Sequence, residues 1–351
     1  MTANASTHGR VPETESHGLW ALASRRLARD KLGLVCLAIV IGFVALACAS
    51  AMRLVAADWG SEIGVSYAPP SFLVGKEAAP PVPSQEGAVT APRSGSADIA
   101  IEDPLRQELA EIMRQLAASA PPAPKRASLP LGADKWGRDV LKKVIKGTET
   151  SLLVGLAAAL LATALGTAFG AQAGYFGGRI DDFFNWLYSV LTSIPYLLLI
   201  LAIAAVLNQK GTLTVVLILG LTGWTGIFRL VRAEYLKHKV REYVLAADAI
   251  GASDSRRMFV HILPNVSHVV LVQLSLHVVL FIKSEVILSF LGFGVGVDTV
   301  SWGSMLNEAQ SELLIGTWWQ LAAATLAMAL LVTAFSLFTD ALRDALDPRL
   351  R

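Results

Sequence analysis

Six stretches of the chain stay apolar for roughly twenty residues, the length that carries a helix across the ~30 Å hydrocarbon core of a bilayer. They are Leu32–Met52, Leu152–Ala173, Phe183–Leu207, Thr212–Leu230, Val266–Phe290 and Thr317–Phe338. A spanning helix satisfies its own backbone polar groups, so the pattern predicts an all-α polytopic membrane protein with six transmembrane helices. The first stretch follows a polar leader at 1–31, is long for a signal-peptide core and has no clear small-residue cleavage site after it. It reads as a retained span at 32–55. The other five form a core over 152–342.

The polar intervals are unequal. Residues 56–130 are rich in Ala, Pro and Ser, with Pro69–Pro70, Pro80–Pro81 and Pro121–Pro122. Such an insert buries no sizeable core and is expected to be largely irregular. One island differs: Asp103 can cap a helix, Pro104 suits its first turn, and Leu105, Leu109, Ile112 and Leu116 share a face. This predicts an amphipathic helix over 104–118 that rests on protein or headgroups, or else docks a partner. Over 131–151, Val140, Leu141, Val144 and Ile145 alternate with Lys142, Lys143 and Lys146, the pattern of an interfacial helix. Gly132 and Gly137 have phosphate-loop spacing, but Arg138–Asp139 stands where Lys-Ser/Thr is required. Gly166, Gly170 and Gly174, one every fourth residue, offer a stripe for close helix packing. Pro195 interrupts the third span and permits a kink there.

Composition fits this class, with 54% apolar and 17% charged residues. The net charge of +2 carries no nucleic-acid signal. Orientation follows Lys and Arg in short flanks. Arg25, Arg26, Arg29 and Lys31 precede the first span; Arg232, Lys237, Lys239, Arg241, Arg256 and Arg257 lie between the fourth and fifth; Arg343, Arg349 and Arg351 follow the last. Both termini and the loop 231–265 are therefore expected in the cytoplasm, the tail being 343–351, and the insert outside. Cys36 and Cys48 sit in one helix about 18 Å apart along its axis, too far to bridge, and serve as small packing residues.

The stretch REYVLAADAIGASDSRRMFVHILPN, Arg241–Asn265, is too polar to span. Glu242 to Ile250 has helical propensity, Gly251 can end that helix, Ser253 or Asp254 can start another turn, and Pro264–Asn265 breaks the chain before the fifth span. The stretch resembles the EAA loop of ABC importer permeases at Ala246, Ala247, Gly251, Leu263 and Pro264. LGADKWGRDVLKKVIKG, GWTGIFRLVRAEYL, SEVILSFLGFG, SWGSMLNEA and DALRDALDPRLR are similar to the C-type permease subunit of dipeptide and oligopeptide importers. The resemblance implies a pore-forming subunit of an ATP-driven importer for peptides or peptide-like solutes, in a bacterial inner membrane. It implies a second homologous permease, two cytoplasmic ATPase subunits and an external solute-binding protein as partners. ATP and Mg would be held by the ATPases, with no cofactor and no enzymatic site on this chain. The short helix would be the coupling helix. The family's glutamate falls at Leu245, and Glu242 and Asp248, three residues to either side, are candidates to replace it.

Lys283 and Glu285 are ionisable residues inside the fifth span, where such groups face a cavity or a partner. Two positions apart on a helix, they point to different sides. Lys283 is expected to snorkel at the outer edge, and Glu285 to make a structural or translocation-path contact. His268 and His277 lack zinc-helix spacing and read as polar packing residues. A permease of the same family for another solute (a nickel chelate or peptide antibiotic) is the nearest alternative. A secondary transporter would need inverted repeats with broken helices, and a membrane-embedded hydrolase a catalytic motif; neither is visible.

Overall fold

The computed structural model describes residues 26–74, 124–296 and 298–346, with 108, 111, 112 and 114. Most of the helix expected over 104–118 lies outside the described residues, as do the leader before Arg26 and the tail after Leu346. The helices are α1 Lys31–Ala51, α2 Val140–Phe176, α3 Gly178–Thr192, α4 Tyr196–Leu207, α5 Thr212–Thr222, α6 Thr225–Lys239, α7 Glu242–Ala249, α8 Leu263–Phe290, α9 Trp302–Leu314 and α10 Trp319–Leu346. Five helical units are long and apolar enough to span a bilayer: α1, α2, α5–α6, the run Asp254–Phe290 that contains α8, and α10. A sixth is counted only if α3 and α4 are taken together.

At the centre stands α2, packed against α1, α3, α5, α6, α8, α9 and α10. It is one helix of 37 residues, capped by the Asp139 side chain on the backbone N–H of Leu141. The interfacial helix expected over 131–151 is therefore not a separate element. Its lysines do not share a solvated face either, because Lys143 is fully buried. Its ammonium donates to Asp134 Oδ2 (2.8 Å), Glu308 Oε2 (2.6 Å) and Gln320 Oε1 (3.2 Å). Removing one member of such a buried, mutually partnered set costs about 3–5 kcal/mol.

The glycine stripe meets α6 of the same chain. A Cβ on Gly170 would lie 2.8 Å from the Phe228 carbonyl oxygen and 3.0 Å from Val231 Cβ, and one on Gly174 would lie 2.6 Å from the Arg232 carbonyl oxygen. Gly166 meets Trp224 and Ile227 in the same way. The third apolar stretch is interrupted at Pro195, as expected, but by more than a kink: two short helices, α3 and α4, meet there at 85°. Proline removes a backbone donor, and the chain turns there instead of bending gently. Arg232 of α6 holds α3 through a two-pronged pair with Asp181 at 2.5 and 2.6 Å.

Pro264 does not break the chain either. A helical turn at Asp254–Arg256 and a six-residue π-helical segment, Arg257–Ile262, run directly into α8. The wider turn places Pro264 where its missing N–H and its ring are tolerated.

At the end opposite α7, residues 56–74 and 124–139 fold into a small knob. Isolated bridges join Glu62 to Arg138, Gly64 to Arg126, Pro70 to Leu129 and Ala133 to Asp139. Ala68, Leu129 and Ala133 are buried within it, a small core that the insert's composition did not announce. Gly132 and Gly137 both have positive φ; a Cβ on Gly132 would meet Trp319 of α10 at 2.7 Å, and one on Gly137 would meet the backbone of Gly64 within the knob. The Trp319 indole N–H donates to the Ala133 carbonyl (2.7 Å), and the Lys135 N–H donates to Glu312 Oε1 (3.2 Å). Burial holds the Glu312 carboxyl above its ordinary value of 4.5, against the lowering effects of that N–H and of Lys143.

Two outcomes follow from this packing. Gly170→Leu should destabilise the detergent-solubilised protein by about 1–3 kcal/mol through overpacking. Gly42→Leu, with nothing within 4 Å of its Cβ position, should stay within about 0.5 kcal/mol of the parent. Equal melting temperatures for the two variants would contradict the seam. The Glu312 carboxyl binds its proton more tightly folded than unfolded, so its stabilising contribution is complete below 4.5 and is lost as pH rises through the raised folded value. Glu312→Gln stays neutral throughout. Its stability relative to the parent should rise steadily from about pH 4 to about pH 7, and a pH-independent difference would contradict the burial effect.

Candidate functional site

The polar loop is built on the ends of two long helices. After Lys239 the chain turns, and α7 starts at Glu242 with Arg241 in extended conformation as its cap. Val244 and Ala247 are buried, and Val244 joins a cluster with Tyr175, Tyr235, Met258 and Ile262. Glu242, Leu245, Ala246, Asp248 and Ala249 are exposed. The helix stops because Gly251 takes φ +84°, a left-handed conformation that suits glycine, while its N–H donates to the Asp248 carbonyl at 2.8 Å. The Ser253 side chain then caps the next turn by accepting from the Arg256 N–H.

A charged clamp fixes the base of this loop. Arg257 pairs with Asp248 of α7 and with Asp254 at 2.5 Å. Tyr175, at the end of α2, donates its hydroxyl to Asp254 Oδ1 (2.8 Å) and lies beneath both Arg257 and Lys239, whose charged groups are 5.8 and 5.6 Å from its ring centre. The buried Tyr235 hydroxyl of α6 donates to the Met258 carbonyl (3.1 Å). Sequence reasoning missed Arg257, Asp254, Tyr175 and Tyr235. The Asp254/Arg257 spacing of three was the available signal for one pair; the contacts with α2 and α6 are long-range and had none.

The two flanking acids separate in role. Asp248 is engaged by Arg257, whereas Glu242 has no ion pair or side-chain hydrogen bond among the described residues. Leu245 is 55% exposed, a large apolar side chain on the outer face of α7. Leu263 is half-buried and Pro264 exposed at the start of α8.

Glu285 lies elsewhere, toward the knob end of α8. It is fully buried; Ser151 of α2 donates to its Oε2 and Ser289 to its Oε1, both at 2.7 Å. The Trp302 N–H at the start of α9 donates in turn to Ser151 Oγ (3.3 Å). Glu285 thus ties α2, α8 and α9 together, a structural contact. Lys283, two residues away, is exposed on another side. His277 is buried, with Nδ1 3.2 Å from Thr163 Oγ1; His268 is half-buried.

Glu285→Ala would leave both serine hydroxyls without their acceptor and open a void at the crossing. The loss should be about 2–4 kcal/mol, visible as a lower melting temperature, with Glu285→Gln falling between it and the parent. An unchanged melting temperature for Glu285→Ala would remove this residue from the packing.

Residues 166–351 match the model of a family described as binding-protein-dependent transport system inner membrane component. The chain is 40% identical over 230 residues to a dipeptide transport system permease protein of Bacillus subtilis, covering 64% of this chain and 72% of that one. It is 36% identical to an oligopeptide transport system permease protein of the same organism, over 63% of this chain and 72% of that one. It is also 36% identical to a glutathione transport system permease protein of Pectobacterium atrosepticum, over 63% and 73% respectively. With the family match extending over more than half of its residues, the chain belongs to the binding-protein-dependent transport system inner membrane components, as a pore-forming permease subunit.

Proposed function

We propose that this permease imports dipeptides, oligopeptides or peptide-like solutes, and that α7 is the helix through which separate ATPases drive it. The observation that carries the reading is the construction of α7. Its inner face is anchored by Val244, Ala247 and the Arg257 clamp, its outer face is free, and it is joined at both ends to membrane-length helices. A load applied to such a helix moves α6 and α8 together, which is what switching a pore between inward and outward access requires. The relatives' names supply the solute class.

In this reading a second homologous permease completes the pore, two ATPases holding ATP and Mg seat α7 and its counterpart, and a solute-binding protein docks outside. The start of α1, the loop carrying α7 and the end of α10 lie at one end of the molecule, where Leu27, Val272 and Leu346 pack together. The short basic flanks support a reading in which that end faces the cytoplasm of a bacterial inner membrane and the knob lies outside.

The test uses the complete transporter. Ala246→Trp, on the exposed face of α7, should leave the melting temperature of the isolated permease unchanged but reduce solute-stimulated ATP hydrolysis about tenfold or more. Gly251→Glu should also reduce it, but with a lowered melting temperature, because a side chain is strained at φ +84°. Glu242→Ala should weaken retention of the ATPases during purification, most visibly at low salt where an exposed charge counts, whereas Leu245→Glu should retain them. Normal stimulation in a fully assembled Ala246→Trp complex would overturn the coupling role of α7.

A further inference from the structure

Behind α7 the protein contains a cavity of about 520 Å³, between the end of α6, the start of α8 and the end of α10. That volume lies in the range of small-ligand sites. Lys237, His238, Arg241 and Arg343 line it together with one acid, Glu234. Glu234 is already shared by Lys237 (3.1 Å) and the His238 ring (3.6 Å). Arg241 and Arg343 have no ion pair or side-chain hydrogen bond among the described residues. Among the described residues, the charge left unpaired in the mouth is therefore two guanidinium groups, one from the α6–α7 turn and one from the last turns of α10.

Leu230, Val269, Val272, Leu276 and Leu346 give the cavity apolar walls. Gln273, two turns further along α8, also lines it. Beyond the cavity, Gln273 Nε2 and the Nε2 of the buried His277 each stand 3.9 Å from where a Cβ on Gly226 of α6 would lie, within van der Waals reach. Polar groups thus continue up a helix whose mean hydropathy is that of a membrane span. Polar side chains at that depth mark a path for polar cargo. A lipid would meet the basic mouth with its headgroup and the apolar walls with its acyl chains, so the chemistry shared by a lipid and a peptide is an anion at the two guanidinium groups.

We propose that this cavity is the α7-side mouth of the solute path and that Arg241 and Arg343 form a subsite in it for a carboxylate of the solute. The inference rests on the peptide reading above, since a peptide carries a terminal carboxylate. Guanidinium groups suit it because their forked donors match both carboxylate oxygens.

The experiment compares uptake of a tripeptide having a free carboxyl terminus with uptake of its carboxamide. It uses the complete transporter in vesicles, with the binding protein saturated by each peptide. Arg343 is remote from α7 in sequence, so Arg343→Gln comes first, followed by Arg241→Gln with Arg343→Gln. The ratio of free-acid to amide uptake should fall about tenfold in the double variant, and Arg343→Lys should keep most of the parent ratio. An unchanged ratio overturns the subsite, whether total uptake is preserved or falls for both peptides alike. The assay is repeated in phosphatidylcholine with and without phosphatidylglycerol. A parent that needs the anionic lipid, with a double variant indifferent to it, would assign the arginines to a headgroup and overturn the proposal. A parent complex that imports neither peptide removes the peptide reading itself, and the subsite with it.

Discussion

Backbone contact between α2 and α6 is the constraint on which the rest of the molecule depends. Gly166, Gly170 and Gly174 let α6 approach so closely that carbonyl oxygens of Trp224, Phe228 and Arg232 occupy the space of a side chain. In lipid no hydrophobic gain drives two helices together, so dispersion and geometry must do it, and small residues allow both. Once α6 is fixed against α2, Tyr235 and Tyr175 are brought beneath the loop, and Arg232 is placed to hold α3 through Asp181. The exposed coupling candidate is thus positioned by a dry seam running two-thirds of the length of α6.

Charge is handled by the same economy at both ends of α2. Near its start, Lys143 is shared by Asp134, Glu308 and Gln320, which joins the knob to α9 and α10. At its finish, Tyr175 receives the Asp254–Arg257 pair, which joins α7 to the run leading into α8. Neither cluster is a surface ornament: Lys143, Asp134 and Gln320 of the first are buried, and the second is stacked on an aromatic ring. A long central helix with an ionic fastening at each end can transmit a displacement without losing register.

Much of this was legible in the sequence, because bilayer thickness converts directly into apolar run length. The runs beginning at Leu32, Leu152, Thr212, Val266 and Thr317 all fall on membrane-length helices. The polar island at Arg241–Asn265 stood out for the same reason, and the glycine spacing showed a packing face but not its partner. What could not be read was whatever depended on a distant residue. Lys143 looks like a solvated lysine until Asp134 and Glu308 are placed around it, and that hid the continuity of α2. Pro264 looks like a stop until a π-helical turn precedes it. Pro195 permits either a kink or a break, and only the seating of α3 on α6 chooses between them.

The bridges of the knob also bear on how this chain tolerates change. Gly64 pairs with Arg126, and Pro70 with Leu129, so the polypeptide leaves the knob after Val74 and re-enters it at Pro124 beside its point of departure. A segment whose two ends are pinned together can vary in length at little thermodynamic expense, since closure entropy grows only with the logarithm of loop length. In evolutionary terms this is a port, a place where sequence can accumulate or be replaced, and where an epitope or a folded reporter could be carried without disturbing the helices.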